Sequence, residues 1–121
     1  MITLSPRTVA VQAILAAKPG AAGSALPSSP GVTLYKVMGK MFGIVSGKGG
    51  YVILKCDPHL AEVLRGQYAG VSHRSHLDPR FWISVDLEGD VPAEEVERLV
   101  AHSYEQVCAK LTRKQKAELA A

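Results

Sequence analysis

The first 56 positions of this sequence contain no acidic residue; the first is Asp57. Over that stretch Arg7, Lys18, Lys36, Lys40, Lys48 and Lys55 stand unopposed. The remainder reverses the balance, with eight basic residues against eleven acidic ones. Such asymmetry permits a basic face for a polyanion, although the whole chain carries a net charge of only +3. Cysteine is also scarce. Cys56 and Cys108 are the only two, which rules out a disulfide framework, and no His–Cys cluster suggests a zinc site. Both are read as reduced and buried, in a cytoplasmic protein. No apolar run is long enough to cross a bilayer, so no membrane partner is expected. The opening MITLSPRTVAVQAILAAKPG lacks the charged start and clean apolar centre of a secretory signal.

What is present suits one domain, residues 1–121, with a modest core. Ser5-Pro6 can cap and start a helix, with Val9, Ala13 and Ala16/Ala17 along one side and Pro19-Gly20 as its end. GAAGSALPSSPG is then small and turn-rich, and residues 1–31 read as a helix plus a flexible loop. Three short runs rich in β-branched and aromatic residues follow: Val32 to Val37, Met41 to Val45 and Tyr51 to Lys55. Asp57-Pro58 opens a short helix with Leu60, Val63 and Leu64 as its apolar face and Gly66 as its end. A strand over Val71 to Ser75 is weakly marked. RFWISVDL alternates clearly, with Phe81, Ile83, Val85 and Leu87 on one side and Trp82, Ser84 and Asp86 on the other. The last helix starts near Pro92 and runs beyond Leu111 on the stripe Val96, Leu99, Val100, Ser103, Val107 and Leu111. The order α-β-β-β-α-β-β-α, with glycine turns between strands, predicts an antiparallel sheet of about five strands. Helices on one face make it a two-layer α+β domain.

The motif SGKGG, Ser46 to Gly50, raises a phosphate cradle and then excludes it. Only three residues separate Gly43 from Gly47, Gly49 follows the lysine, and a strand follows where the cradle needs a helix N-terminus. A hairpin turn carrying Lys48 is the reading. His73, His76 and Asp78 do not converge on an extended chain, so no metal is expected. Ser103 is expected to bond its own helix backbone. Asp86, Glu88 and Asp90 read as a solvated edge. A small-molecule site would need a pocket lined by Trp82, Tyr35 and His76.

YKVMGKMFGIV, LKCDP, HLDPRFWISV, HSYEQVCAKL and LTRKQKAEL occur in an order that resembles the MmcQ/YjbR family, over roughly Val32 to Leu119. The resemblance implies a two-layer antiparallel α+β domain similar to secretion-chaperone-like folds. It also implies DNA binding, described for the family as a double-wing mode, and brings no catalytic residue or cofactor. The chain departs from the family pattern before Trp82, where Ser75 and Asp78-Pro79-Arg80-Phe81 stand. A lysine and a histidine are replaced there, leaving Arg80 as the phosphate contact. The expectation is a non-enzyme that binds double-stranded DNA through Lys36, Lys40, Lys48 and Arg80 on or near hairpin turns. A chaperone-like module with a protein partner, or a homodimer, is the competing one.

Overall fold

The Ser5 Oγ accepts a hydrogen bond from the Thr8 N–H at 3.1 Å, and Pro6 follows in the first turn. One end of a helix is thereby closed by its own sequence. In the computed structural model, which describes residues 4–120, this helix is α1, Pro6–Ala16. The outer ends of the expected 1–121 domain, residues 1–3 and 121, lie outside the described residues. The remaining elements are β1 Ala21–Ala25, β2 Val32–Val37, β3 Lys40–Ser46, β4 Tyr51–Lys55, α2 Pro58–Gln67, β5 Val71–Ser72, β6 Trp82–Asp86, α3 Ala93–Cys108 and α4 Arg113–Ala120. The strands form one antiparallel sheet in the order β1-β2-β3-β4-β6-β5. It has six strands, one more than expected.

The additional strand is β1. It lies inside the segment expected to be a flexible loop, and it pairs along its length with β2, Ala21 opposite Val37 through Ala25 opposite Thr33. Its residues AAGSA have little intrinsic preference for a strand; the ladder offered by β2 imposes the conformation. The β2–β3 hairpin closes through Met38 and Gly39, both at positive φ (49° and 79°). This is the geometry a two-residue turn needs to match strand twist. At the other end of β3, Ser46 Oγ accepts from the Gly49 N–H at 3.0 Å and Ser46 O from the Gly50 N–H at 2.8 Å. SGKGG is therefore a hairpin loop with β4 behind it.

Helix layers cover one face of the sheet. Val45, Val52, Leu54, Ile83 and Val85 are at most 1% exposed there, in one core with Val11 and Leu15 of α1 and Val96, Leu99 and Val100 of α3. Gly43 lets α1 approach: a Cβ at this position would sit 2.8 Å from a Leu15 methyl. The inward faces of two helices differ from those expected. In α1, Val11 and Leu15 are buried while Val9 is 51% exposed. In α2, Ala61 and Leu64 are buried while Val63 is 48% exposed. Leu64 and the partly buried Leu60 do face the core as expected, so α2 departs only in burying Ala61 rather than Val63, whereas α1 turns a different side inward.

The last helix is two helices. α3 stops at Cys108, and Thr112 with Gln115 forms a reciprocal cap at the start of α4. The Gln115 N–H donates to Thr112 Oγ1 (3.1 Å), and the Thr112 N–H to Gln115 Oε1 (3.0 Å). α4 has no buried residue, although Leu119 rests partly buried against Gly20.

Ser103 does not bond its own helix. Its hydroxyl donates to Phe42 O (2.6 Å) and accepts from the Lys55 N–H (2.9 Å). The β2–β3 register shifts beside Phe42, and the β3–β4 pairing ends at Gly43 opposite Leu54. One side chain from α3 thus serves the two backbone groups that the ladder leaves open.

Candidate nucleic-acid interface

Alternation along each strand puts the other half of the sheet residues on a second face, and strand register sorts them into rows. At one end of this face stand Lys36 of β2, Met41 of β3, Lys55 of β4 and Trp82 of β6. Lys36 pairs with Met41, and Lys55 with Trp82. The middle row is Leu34, Ile44, Ile53, Ser84 and Ser72. The far row is Val32, Ser46, Tyr51 and Asp86. Lys36 is exposed, and Met41, Leu34, Ile44, Lys55 and Trp82 are all partly exposed. Over the far row the Arg74 guanidinium lies 5.1 Å from the centre of the Tyr51 ring. The segment after β5 therefore folds back over part of this face. Ser84 beneath is only 2% exposed, and its hydroxyl has no hydrogen-bond partner.

The four residues expected to contact phosphate are not one cluster. Lys36 and Lys40 lie near the β2–β3 turn, and both are exposed. Lys48 is exposed in the β3–β4 loop, at the opposite end of β3 and about 20 Å away along the strand. Arg80 is exposed but already engaged. It meets Asp78 at 2.8 Å, and its guanidinium lies 5.2 Å from the Phe81 ring centre. Hydrogen bonding by Arg80 holds the Asp78 carboxyl down at about 2, and Asp78 in return raises Arg80. Arg80 therefore brings its own counter-charge.

Lys55 is the basic residue that sequence reasoning left out of the set. Its place beside Trp82 depends on the β4–β6 register, which joins segments separated by α2 and β5. Arg65 of α2 steadies this corner: its Nη2 donates to Trp82 O at 3.0 Å and to Pro79 O at 2.6 Å. Trp82 is partly exposed on the second face, whereas Phe81, expected on the same side of the strand as Ile83 and Val85, is 37% exposed.

The other candidates resolve into structural roles. His73 bonds Leu77 O at 2.5 Å, and no group of three or more His, Cys, Asp or Glu comes together among the described residues. His102 Nε2 accepts from the Asp57 N–H at 3.1 Å, so it helps hold the start of α2. Asp90 receives the Ala69 and Gly70 N–H groups, and Asp86 that of Glu88; these carboxylates fasten loops. Burial, aided by the Asp57 charge and opposed by Arg65, pushes the Cys56 thiol up to about 11. The thiolate is therefore disfavoured near neutral pH. Cys108 is only partly buried, where a buried thiol was expected. Tyr35 is buried in the helix-facing core and Trp82 lies across the sheet from it, so these two cannot line one pocket. An open pocket of ≈ 420 Å³ lies between α2 and the loop before β6, lined by Glu62 and Arg65 on the helix side and by Pro79 and Arg80 on the loop side.

No described helix is long and apolar enough to cross a membrane. The YjbR family model matches residues 16–106. Among curated relatives, an uncharacterized protein YjbR of Escherichia coli K12 is 42% identical over 55 residues, and a protein of the same description from Escherichia coli O157:H7 matches equally. That match spans 46% of this chain and 47% of the relative, about half the length of each. Among solved structures, a Deinococcus radiodurans DUF419-domain protein superimposes with a TM-score of 0.81 at 26% identity, over 91% of this chain and 85% of that one. A Pseudomonas syringae protein shares the fold with a TM-score of 0.68 at 18% identity, over 84% of this chain and 98% of that one.

Proposed function

The chain belongs to the YjbR family, and on that premise we propose that it is a small cytoplasmic DNA-binding protein without catalytic activity. The observation that carries this reading is the lysine-bearing end of the sheet. Lys36, Lys40 and Lys55 gather around the β2–β3 turn and the adjoining second face, and the sheet rows there contain no carboxylate. Lys48 offers a second contact from the opposite turn. Long, mobile ammonium side chains on turns suit phosphate contact, which supplies affinity without sequence information. Arg80 contributes only if its pairing with Asp78 is exchanged for a phosphate.

The test is a titration against duplex DNA at several salt concentrations. Weak binding is expected, with Kd of about 10⁻⁴–10⁻⁶ M at physiological salt, falling steeply as salt rises. No duplex binding at low salt, or binding indifferent to salt, would overturn the reading. One observation favours a second reading, a protein-interaction module: Leu34, Met41 and Ile44 leave a partly exposed apolar strip on the second face. A protein partner or a second copy of the chain would then bury that strip, and salt would have little influence.

A further inference from the structure

We propose that the second face of the sheet takes single-stranded DNA, with a base stacked on Trp82 and the flanking phosphates on Lys55 and Lys36. The inference rests on the DNA-binding reading above and narrows it to a strand form and a binding face. Lys36 and Trp82 stand on β2 and β6, three strand spacings apart, about 14 Å. A flat surface of that width does not fit inside an undistorted B-DNA major groove about 12 Å wide, so an undistorted duplex meets the exposed turns more readily than this face. An unpaired strand has no such restriction. Its bases present π-faces to an aromatic ring while its backbone follows a basic track.

The corner has the parts this requires. Trp82 is partly exposed, is the cross-strand partner of Lys55, and has its backbone carbonyl held by Arg65. Lys36 and Met41 continue the same end of the face, and Leu34 and Ile44 provide an apolar floor beside them. The carboxylates nearest in sequence are already engaged. Asp57 accepts the N–H groups of His59 and Leu60, and Asp78 holds Arg80. The one carboxylate on the described strands of this face, Asp86, lies in the far row. The row of Lys36, Met41, Lys55 and Trp82 itself thus carries positive charge and no carboxylate, as a phosphate chain requires.

Trp82 is the only tryptophan, so the intact protein reports on its own site. The full chain is titrated with a dye-labelled thymidine oligonucleotide and, separately, with a labelled duplex of equal length. Dye anisotropy follows binding, and tryptophan emission follows stacking. The expected result is saturable quenching by the single strand at a concentration where the duplex leaves emission unchanged. Trp82→Ala should weaken single-strand binding roughly 5- to 150-fold, the loss of one stacked base. Trp82→Phe should restore most of it, and duplex binding should move little in either variant. Lys55→Gln, a surface change, gives an arm independent of the aromatic core and should weaken the single strand more than the duplex. If the single strand binds but emission does not change, the stacking proposal fails and phosphate contact from the turns survives. If the duplex binds more tightly and quenches equally, the single-strand preference fails. If the duplex does not bind at low salt, the double-stranded reading falls; if the single strand also fails to bind, this inference falls with it.

Discussion

The two faces of the sheet are made from alternate residues of the same strands, yet they solve opposite problems. On the helix side Val45, Val52, Leu54, Ile83 and Val85 are sealed under α1 and α3. On the second face the corresponding neighbours Ile44, Lys55 and Trp82 keep part of their surface in water. Both faces carry large apolar groups, so hydrophobicity alone does not separate them. Position relative to the helices does. The difference teaches that the helices seal one face for stability and leave the other partly open to water, where the proposed DNA contact would lie.

Several substitutions would break that division if it is wrong. The largest stability loss is expected at Leu54→Ala on the sealed face, about 2–5 kcal/mol, read from denaturant midpoints. A loss below about 1 kcal/mol would mean the core there collapses around the gap. Ser103→Ala comes next, at about 1–3 kcal/mol, because Phe42 O and the Lys55 N–H lose their shared partner inside the fold. Ser103→Thr retains the hydroxyl and tests whether the hydrogen bonds or the small volume matter. Trp82→Ala should cost less than the roughly 3–5 kcal/mol of a buried ring, since Trp82 is only partly covered. A cost at the top of that range would move Trp82 to the sealed core and remove it from the recognition surface.

Surface changes should sharpen the comparison from the other side. Lys40→Ala and Lys48→Ala should alter stability by no more than about 0.5 kcal/mol while each lowers the salt slope of DNA binding by about one unit. A flat response from Lys48 alone would confine binding to the Lys36–Lys40–Lys55 end. Asp78→Asn should release Arg80 and raise the salt slope by about one phosphate contact, with no measurable change in melting. The sign with pH is definite. Asp78 titrates below its ordinary value in the folded chain, so the pair is intact above that value and is lost only as pH falls through about 2. Its binding effect should thus be constant across the neutral range.

Much of this architecture was legible in the sequence where local chemistry and burial agree. β2 and β4 match their expected bounds, and Asp57-Pro58 does start α2. Local signals fail where a partner element decides. AAGSA is a strand because β2 lies beside it, and Val63 faces water because Ala61 fits more closely against the core. The break before α4 did have a local signal, Thr112 followed three residues later by Gln115, but the apolar stripe through Leu111 masked it. The candidate site was partly visible. Lys36, Lys40 and Lys48 are on the surface as expected, whereas the meeting of Lys55 with Trp82 requires a register that no window of sequence contains.

The Ser103 contact also bears on how the chain finds its pairing. The hydroxyl reaches residues 61 and 48 positions away along the chain, so it forms only after α3 has docked on strands already close together. A β3 strand slipped by one residue would turn its side chains to the wrong face and would withdraw Phe42 O from that hydroxyl. Helix docking therefore discriminates among alternative hairpins, and misaligned ones gain less from it. Ser103→Ala should consequently lengthen the search as well as weaken its product: refolding after dilution from denaturant should slow if docking belongs to the rate-limiting step, and unfolding should accelerate if it comes later.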